Sequence, residues 1–148
     1  MSVVVVEVVD DDRAHRRVPG DRNHITWDHN VGWRVSSAAF EDDLDGVLIY
    51  LEKILEVLGL QPTDVLIDHA GFFLADLGVV EVRSLDQCDL DVCHHPEQDG
   101  DHPCDPAHGL ILGVPTGKKG NLRARRKLAA LARWIVGPDW PPPPEATV

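Results

Sequence analysis

Residues 88–109, "CDLDVCHHPEQDGDHPCDPAHG", hold all three cysteines of the chain and four of its eight histidines. Thiolates and imidazoles are the donors that zinc prefers, and short spacings let one loop deliver them in pairs to a tetrahedral ion. Cys88 and Cys93 form a C-x4-C pair, and Cys104 and His108 form a C-x3-H pair further along. These four residues are therefore the expected zinc ligands, with His94, His95 and His102 as substitutes. Four protein ligands would close the site and make the metal a folding staple. Three ligands would leave a position for water, which Glu97 could deprotonate, and the site would then hydrolyse. The C-x2-C spacing of the strongest zinc motifs is missing, so a polar loop with unrelated cysteines is the bland alternative.

Other chemistry-bearing patterns are fragments. His95-Pro96-Glu97 followed by Pro103-Cys104 matches half of the zinc-deaminase pattern H-x-E…P-C-x-x-C and lacks its second cysteine. The stretch "LILGVPTGKKGN" has the order of a phosphate loop, but Leu112 stands in place of the first glycine and Lys119 in place of the hydroxyl. Asp28-His29, Asp68-His69 and Asp101-His102 repeat an Asp-His pair, for which surface or hydrogen-bonded histidines are the ordinary explanation.

Charge is unevenly spread. The net charge is −11 over the whole chain, yet residues 111–148 carry seven of the fourteen basic side chains against two acids, and residues 1–110 carry the remaining excess of acid. Such an acidic body argues against general nucleic-acid binding, which needs basic surface. The basic segment keeps an acidic ligand in view, with Lys118, Lys119, Arg123, Arg126, Lys127 and Arg133 as the contacts. The same cations could instead dock on the acidic body of this chain or of a second copy, making a homo-oligomer.

The elements that must position these groups follow from periodicity. Residues 2–9 are nearly all valine and read as a central strand, and the charged stretch up to Asn23 reads as a loop. Residues 24–35 alternate enough for one or two strands bent at Gly32. From Ser37 to Leu58 apolar residues recur at three and four positions against an acidic face, which predicts one long amphipathic helix. Strands are expected near Val65–Ile67 and Val79–Arg83, a long loop over 86–109, a strand at 110–115 and a basic helix over 121–136. The ending "GPDWPPPPEATV" predicts an extended polyproline tail, solvated or offered to an aromatic groove.

The expected fold is α+β: a small mixed or antiparallel sheet packed by one long amphipathic helix, with a Cys/His-rich loop and a basic C-terminal helix. Residues 1–137 would form a single domain and 138–148 the tail. No apolar run approaches the ~20 residues that span a bilayer, and an odd number of cysteines without an export signal favours a reducing compartment, so a cytoplasmic protein away from membranes is expected. The functional expectation is a zinc-stabilised interaction module contacting an acidic ligand, nucleic acid or an acidic protein surface, through the basic helix. A small metal-dependent hydrolase or nuclease is the alternative, and a metal-free oligomeric structural protein is the third reading.

Overall fold

The computed structural model describes residues 4–41, 46–97, 100–114 and 118–144, with residues 118–121 described by backbone alone. Its centre is a six-stranded antiparallel sheet in the order β6-β7-β4-β1-β5-β8, joined by a separate hairpin of β2 and β3. The strands are β1 (Arg13–Pro19), β2 (Ile25–Asp28), β3 (Gly32–Val35), β4 (Val47–Leu51), β5 (Phe72–Gly78), β6 (Asp91–His94), β7 (His108–Leu112) and β8 (Arg133–Val136). The helices are α1 (Glu52–Val57), α2 (Val79–Arg83) and α3 (Lys118–Leu131). Among the described residues no helix is long and apolar enough to cross a membrane.

This corrects the expected α+β fold built on one long helix. The span from Ser37 to Leu58 contains a 3₁₀ turn at Ser37–Phe40, then β4, then the short α1. Gly46 stands between them at φ 144, a conformation closed to ordinary residues, where a side chain would meet the Ile111 carbonyl. The next five residues, "VLIYL", are rich in β-branched and aromatic types and nearly all buried. They suit a strand covered on both faces better than a helix with a wet side. Asp42, Asp43, Leu44 and Asp45, which belonged to the expected helix, lie outside the described residues.

Neighbouring predictions exchange places for related reasons. The central strand β1 comes from the charged stretch expected to be a loop, whereas residues 4–9 run extended without sheet pairing and leave Val4, Val5, Val6 and Val9 exposed. In place of a strand ladder, the Val6 N–H donates to His94 Nδ1 at 3.0 Å. The strand expected near Val65 is a 3₁₀ turn, Pro62–Leu66, with proline at its start, and the one expected at Val79–Arg83 is α2. The long loop over 86–109 contains β6, a 3₁₀ turn at Asp105–Ala107 and the start of β7. The basic helix ends at Leu131, and Arg133–Val136 pairs with β5. Residues 24–35, expected as one or two strands bent at Gly32, form an antiparallel hairpin of two strands, and a strand containing Leu110–Leu112 is present.

Strand alternation divides the sheet into two faces. Ala14 and Val18 of β1, Val47, Ile49 and Leu51 of β4, Ala75 and Leu77 of β5, and Ile111 of β7 join one buried cluster with Ala124 and Leu128 of α3 and with Val79 and Val82 of α2. Each large aliphatic side chain taken fully out of water there contributes about 1.5–3 kcal/mol. The opposite face has a smaller apolar cluster of Tyr50, Leu55, Val65, Leu74, Cys104 and Ala107. Interleaved with it on this face are titratable and charged groups, His15, Arg17, Asp76 and His108.

Candidate functional site

Register places a row of polar residues across this second face. His108 on β7 is opposite Tyr50 on β4, Tyr50 opposite His15 on β1, His15 opposite Asp76 on β5, and Asp76 opposite Arg133 on β8. His15 is wholly buried, with Nδ1 3.3 Å from Asp76 Oδ1 and Nε2 3.3 Å from Glu52 Oε1 of α1. These contacts are electrostatic and too poorly aligned to count as full hydrogen bonds. Arg13 clamps the same carboxylate, its Nε donating to Asp76 Oδ2 at 2.8 Å and Oδ1 at 3.0 Å. Burial by itself pushes Asp76 up, but His15 and Arg13 outweigh it and hold the carboxyl below the ordinary aspartate value.

At the other end of the row, His108 Nε2 lies 3.0 Å from the Tyr50 hydroxyl and 3.3 Å from Asp105 Oδ1. Burial draws His108 below the ordinary histidine value, against the pull of Asp105 and with help from Arg17.

Arg17, two residues along β1 from His15, has the more open position. Its guanidinium lies over the Tyr50 ring, 4.8 Å from the centroid, and donates from Nη1 to His69 Nε2. Among the described residues no carboxylate lies within ion-pair distance of it. Burial lowers its pKa, partly countered by Cys104 and Asp105, but an arginine stays cationic under these conditions. A cleft of about 250 Å³ opens here, lined by Arg16, Arg17, Leu48, Tyr50, His69 and Phe72. Arg16 is committed elsewhere, to the carbonyls of Ala39 and Leu48 at 2.9 and 2.7 Å.

His69 reaches the cleft because Asp68 adopts a left-handed conformation, φ 63, which turns the chain after the Pro62–Leu66 turn. Aspartate tolerates that conformation better than most residues. The His69 ring packs edge-on to Phe72 at 5.5 Å and lies 5.7 Å from His102. Burial, then Arg17, then His102 lower its pKa, which suits its role as acceptor for Arg17.

The residues expected to bind zinc are distributed over different parts of the molecule. Cys88 packs against the large apolar cluster, Cys104 is buried in the smaller cluster on the other face, and Cys93 projects from β6 opposite Leu110. All three are free thiols. Burial pushes the Cys104 thiol up to about 11 and raises Cys93 as well. His94 Nδ1 accepts from Val6 and its Nε2 lies 2.8 Å from the Pro106 carbonyl. His102 Nδ1 accepts from the Cys104 N–H and its Nε2 lies 2.9 Å from the Ile67 carbonyl. Both ring nitrogens of these two substitutes are thus occupied by main chain. His95 is exposed, with its backbone N–H on the His108 carbonyl. Among the described residues no group of three or more His, Cys, Asp or Glu side chains is arranged to hold a metal.

The basic residues fare differently from one another. Arg123 and Arg126 are exposed on α3, and Lys127 Nζ donates to the Asp86 carbonyl. Their neighbour Arg125 pairs with Glu41 at 3.5 Å. Arg133 lies on β8 rather than on the helix. Lys118 and Lys119 begin α3, and their side chains lie outside the described residues. Two of the helical cations therefore dock on the molecule itself.

Comparison with family models, with curated proteins and with solved structures finds no match to this chain. Function has to be argued from the polar face alone. Sequence reasoning missed Arg17, Tyr50, His15 and Asp76. The available signal was the alternation in "RAHRRVP", where Ala14 and Val18 interleave with His15 and Arg17. The Asp-His pairs were visible, and two of them, Asp68-His69 and Asp101-His102, supply the neighbouring rings.

Proposed function

We propose that the chain is an interaction module whose Arg17 cleft receives an acidic group from a protein partner. One observation carries this reading: a half-buried guanidinium, stacked on Tyr50 and supported by His69, has Asp105 as a distant counter-charge but no carboxylate within ion-pair distance among the described residues. Burying a charge unpaired is costly, and a carboxylate entering the cleft would supply the missing partner in bidentate geometry. Aromatic walls at Tyr50 and Phe72 would strengthen that contact by excluding water. A protein carboxylate is favoured over nucleic acid because the cleft offers a guanidinium between aromatic walls and, among the described residues, no line of cations that could follow a phosphate backbone. In this reading the exposed Arg123 and Arg126 of α3 act, if at all, as a separate electrostatic surface.

Titration of the full chain with a glutamate-rich peptide, inorganic phosphate and a single-stranded oligonucleotide, followed by NMR, tests the reading. The peptide should perturb Tyr50, His69 and Arg17 signals, and Arg17→Ala should weaken it at least about tenfold, as loss of a charge-assisted pair does. Binding that survives Arg17→Ala, or that runs through Arg123 and Arg126, overturns the cleft. Tighter binding of the oligonucleotide than of the peptide replaces the protein partner with nucleic acid.

A further inference from the structure

The ending "DWPPPP" is not simply solvated. Trp140 is half-buried against the large apolar cluster and Pro143 is buried. The body supplies a groove for it from two separate strands, Trp33 of β3 and Phe73 of β5, with Trp134 of β8 packed edge-on against Phe73. Trp140 sits edge-on to Trp33 at 5.3 Å and to Phe73 at 5.8 Å. The Trp33 indole N–H donates to the Trp140 carbonyl at 3.1 Å. Behind it, the Trp134 indole N–H donates to the Trp33 carbonyl at 3.0 Å, fixing the strand that presents Trp33. Arg22 covers the Trp33 ring from the other side, 4.8 Å from its centroid.

The Trp33 indole N–H thus meets the carbonyl immediately ahead of the proline run, that of Trp140. Proline has no N–H, so a run of prolines can be gripped through its main chain only by donors aimed at its carbonyls. An indole N–H on an aromatic surface supplies such a donor together with a flat apolar wall, and the stiff polyproline helix loses little entropy on docking. The groove walls come from strands held by the sheet and by the β2–β3 hairpin, so the tail does not build its own receptor. The tail also leaves the groove partly open: a cleft of about 510 Å³ remains between Pro141–Pro144 and the wall formed by Gly20, Asp21, Arg22 and Trp33.

We propose that the Trp33–Phe73 groove is a receptor for an extended proline-rich segment of another protein that carries an aromatic residue ahead of its prolines, and that the molecule's own tail is the resident competitor. A tail tethered just after β8 has an effective concentration of about a millimolar. A partner therefore binds weakly to the intact chain and more tightly once the tail's grip is loosened. This site is independent of the Arg17 cleft.

The probe is a synthetic peptide copying Gly137–Pro144, titrated into ¹⁵N-labelled full-length chain and into its Trp140→Ala variant, with the indole N–H signals of Trp33 and Trp134 as readout. The peptide should shift both signals in Trp140→Ala with an affinity at least about tenfold above that for the unaltered chain, as release of a tethered competitor predicts. A peptide with alanine in place of every proline should shift neither. If Trp140→Ala loses its native signal dispersion, Trp140→Leu, which keeps an apolar side chain but loses the ring contacts, carries the same expectation. No shift at millimolar peptide in a folded variant, or equal shifts from the proline and alanine peptides, overturns the proposal.

Discussion

On one side of the six-stranded sheet, Val18, Ile49, Leu51, Leu77 and Ile111 pack with α2 and α3 into a continuous apolar layer. On the other side, interleaved along the same strands, stand Arg17, Tyr50, Asp76, His15 and His108. The first face is stabilised by area removed from water, a non-directional force that tolerates substitution of similar volume. The second is stabilised by charges and hydrogen bonds that need their partners in place. The comparison teaches that in a sheet buried on both sides, the side that looks wasteful in stability is the place to look for binding chemistry.

The largest expected effect breaks the first face alone. Ile111→Ala should lower unfolding free energy by about 2–5 kcal/mol in urea or guanidinium titration, while the shape of its stability-versus-pH curve stays that of the unaltered chain. A changed pH profile would mean that the two faces are coupled through the strands.

Asp76→Asn addresses the second face and should cost about 1–3 kcal/mol near neutral pH, because His15 and Arg13 lose their charged partner. Its pH signature is specific. Asp76 lies below its ordinary 3.8 in the folded chain, so its contribution is present above that value and is lost as pH falls through the lower folded value. His69 and His108 lie below their ordinary 6.5. In the folded chain they resist a proton that the unfolded chain accepts, so stability begins to fall as pH drops below 6.5. Thermal or denaturant unfolding across pH should therefore show two stages of acid loss, and Asp76→Asn should diminish only the lower one, to which Asp11, Asp21 and Asp91 also contribute.

Cys104→Ser brings a smaller loss, about 1–2 kcal/mol, from placing a hydroxyl in an apolar pocket. A thiol near pKa 11 has only about one thiolate in a thousand at pH 8, and reactivity follows the thiolate. Native Cys104 should thus stay unmodified by a disulfide reagent until denaturant is added. Prompt reaction in the native chain would place this residue outside the core.

What could be read from the sequence divides along the same line. The strand character of β2 and β3 was legible because alternating Ile25, Trp27, Trp33 and Val35 are local signals, whereas their pairing into a hairpin was not read. The apolar stripe of α3, Ala124 and Leu128, was legible for the same reason. β1 was not, since Arg13, His15, Arg16 and Arg17 gave it the look of a surface loop, and their partners Asp76, Glu52 and Tyr50 are distant in sequence. β4 imitated a helix because Leu48, Leu51, Ile54, Leu55 and Leu58 keep a helical spacing across the boundary between a strand and α1. The cysteines and histidines of 88–109 are dense along the chain, and the elements that set their neighbours in space were not read from the sequence. β6 and the Asp105–Ala107 turn send Cys93 and Cys104 to different surroundings.

The smallest effect on stability should come from the residue on which the functional reading depends most. Arg17→Ala loses the contact over Tyr50, which is about 0.5–1 kcal/mol for a cation on an aromatic face. It also removes a half-buried charge that no described carboxylate meets within ion-pair distance, a gain of the opposite sign. The two should nearly cancel, leaving a change within about 0.5–1 kcal/mol in denaturant unfolding. Asp76→Asn, one strand away on the same face, keeps the cleft and loses stability. A residue whose removal leaves the fold unmoved but abolishes capture of a glutamate-rich peptide is held in place for a ligand. If Arg17→Ala instead destabilises the chain as much as Asp76→Asn, the guanidinium is a structural member of the polar row, and the second face differs from the first only in the kind of force that holds it.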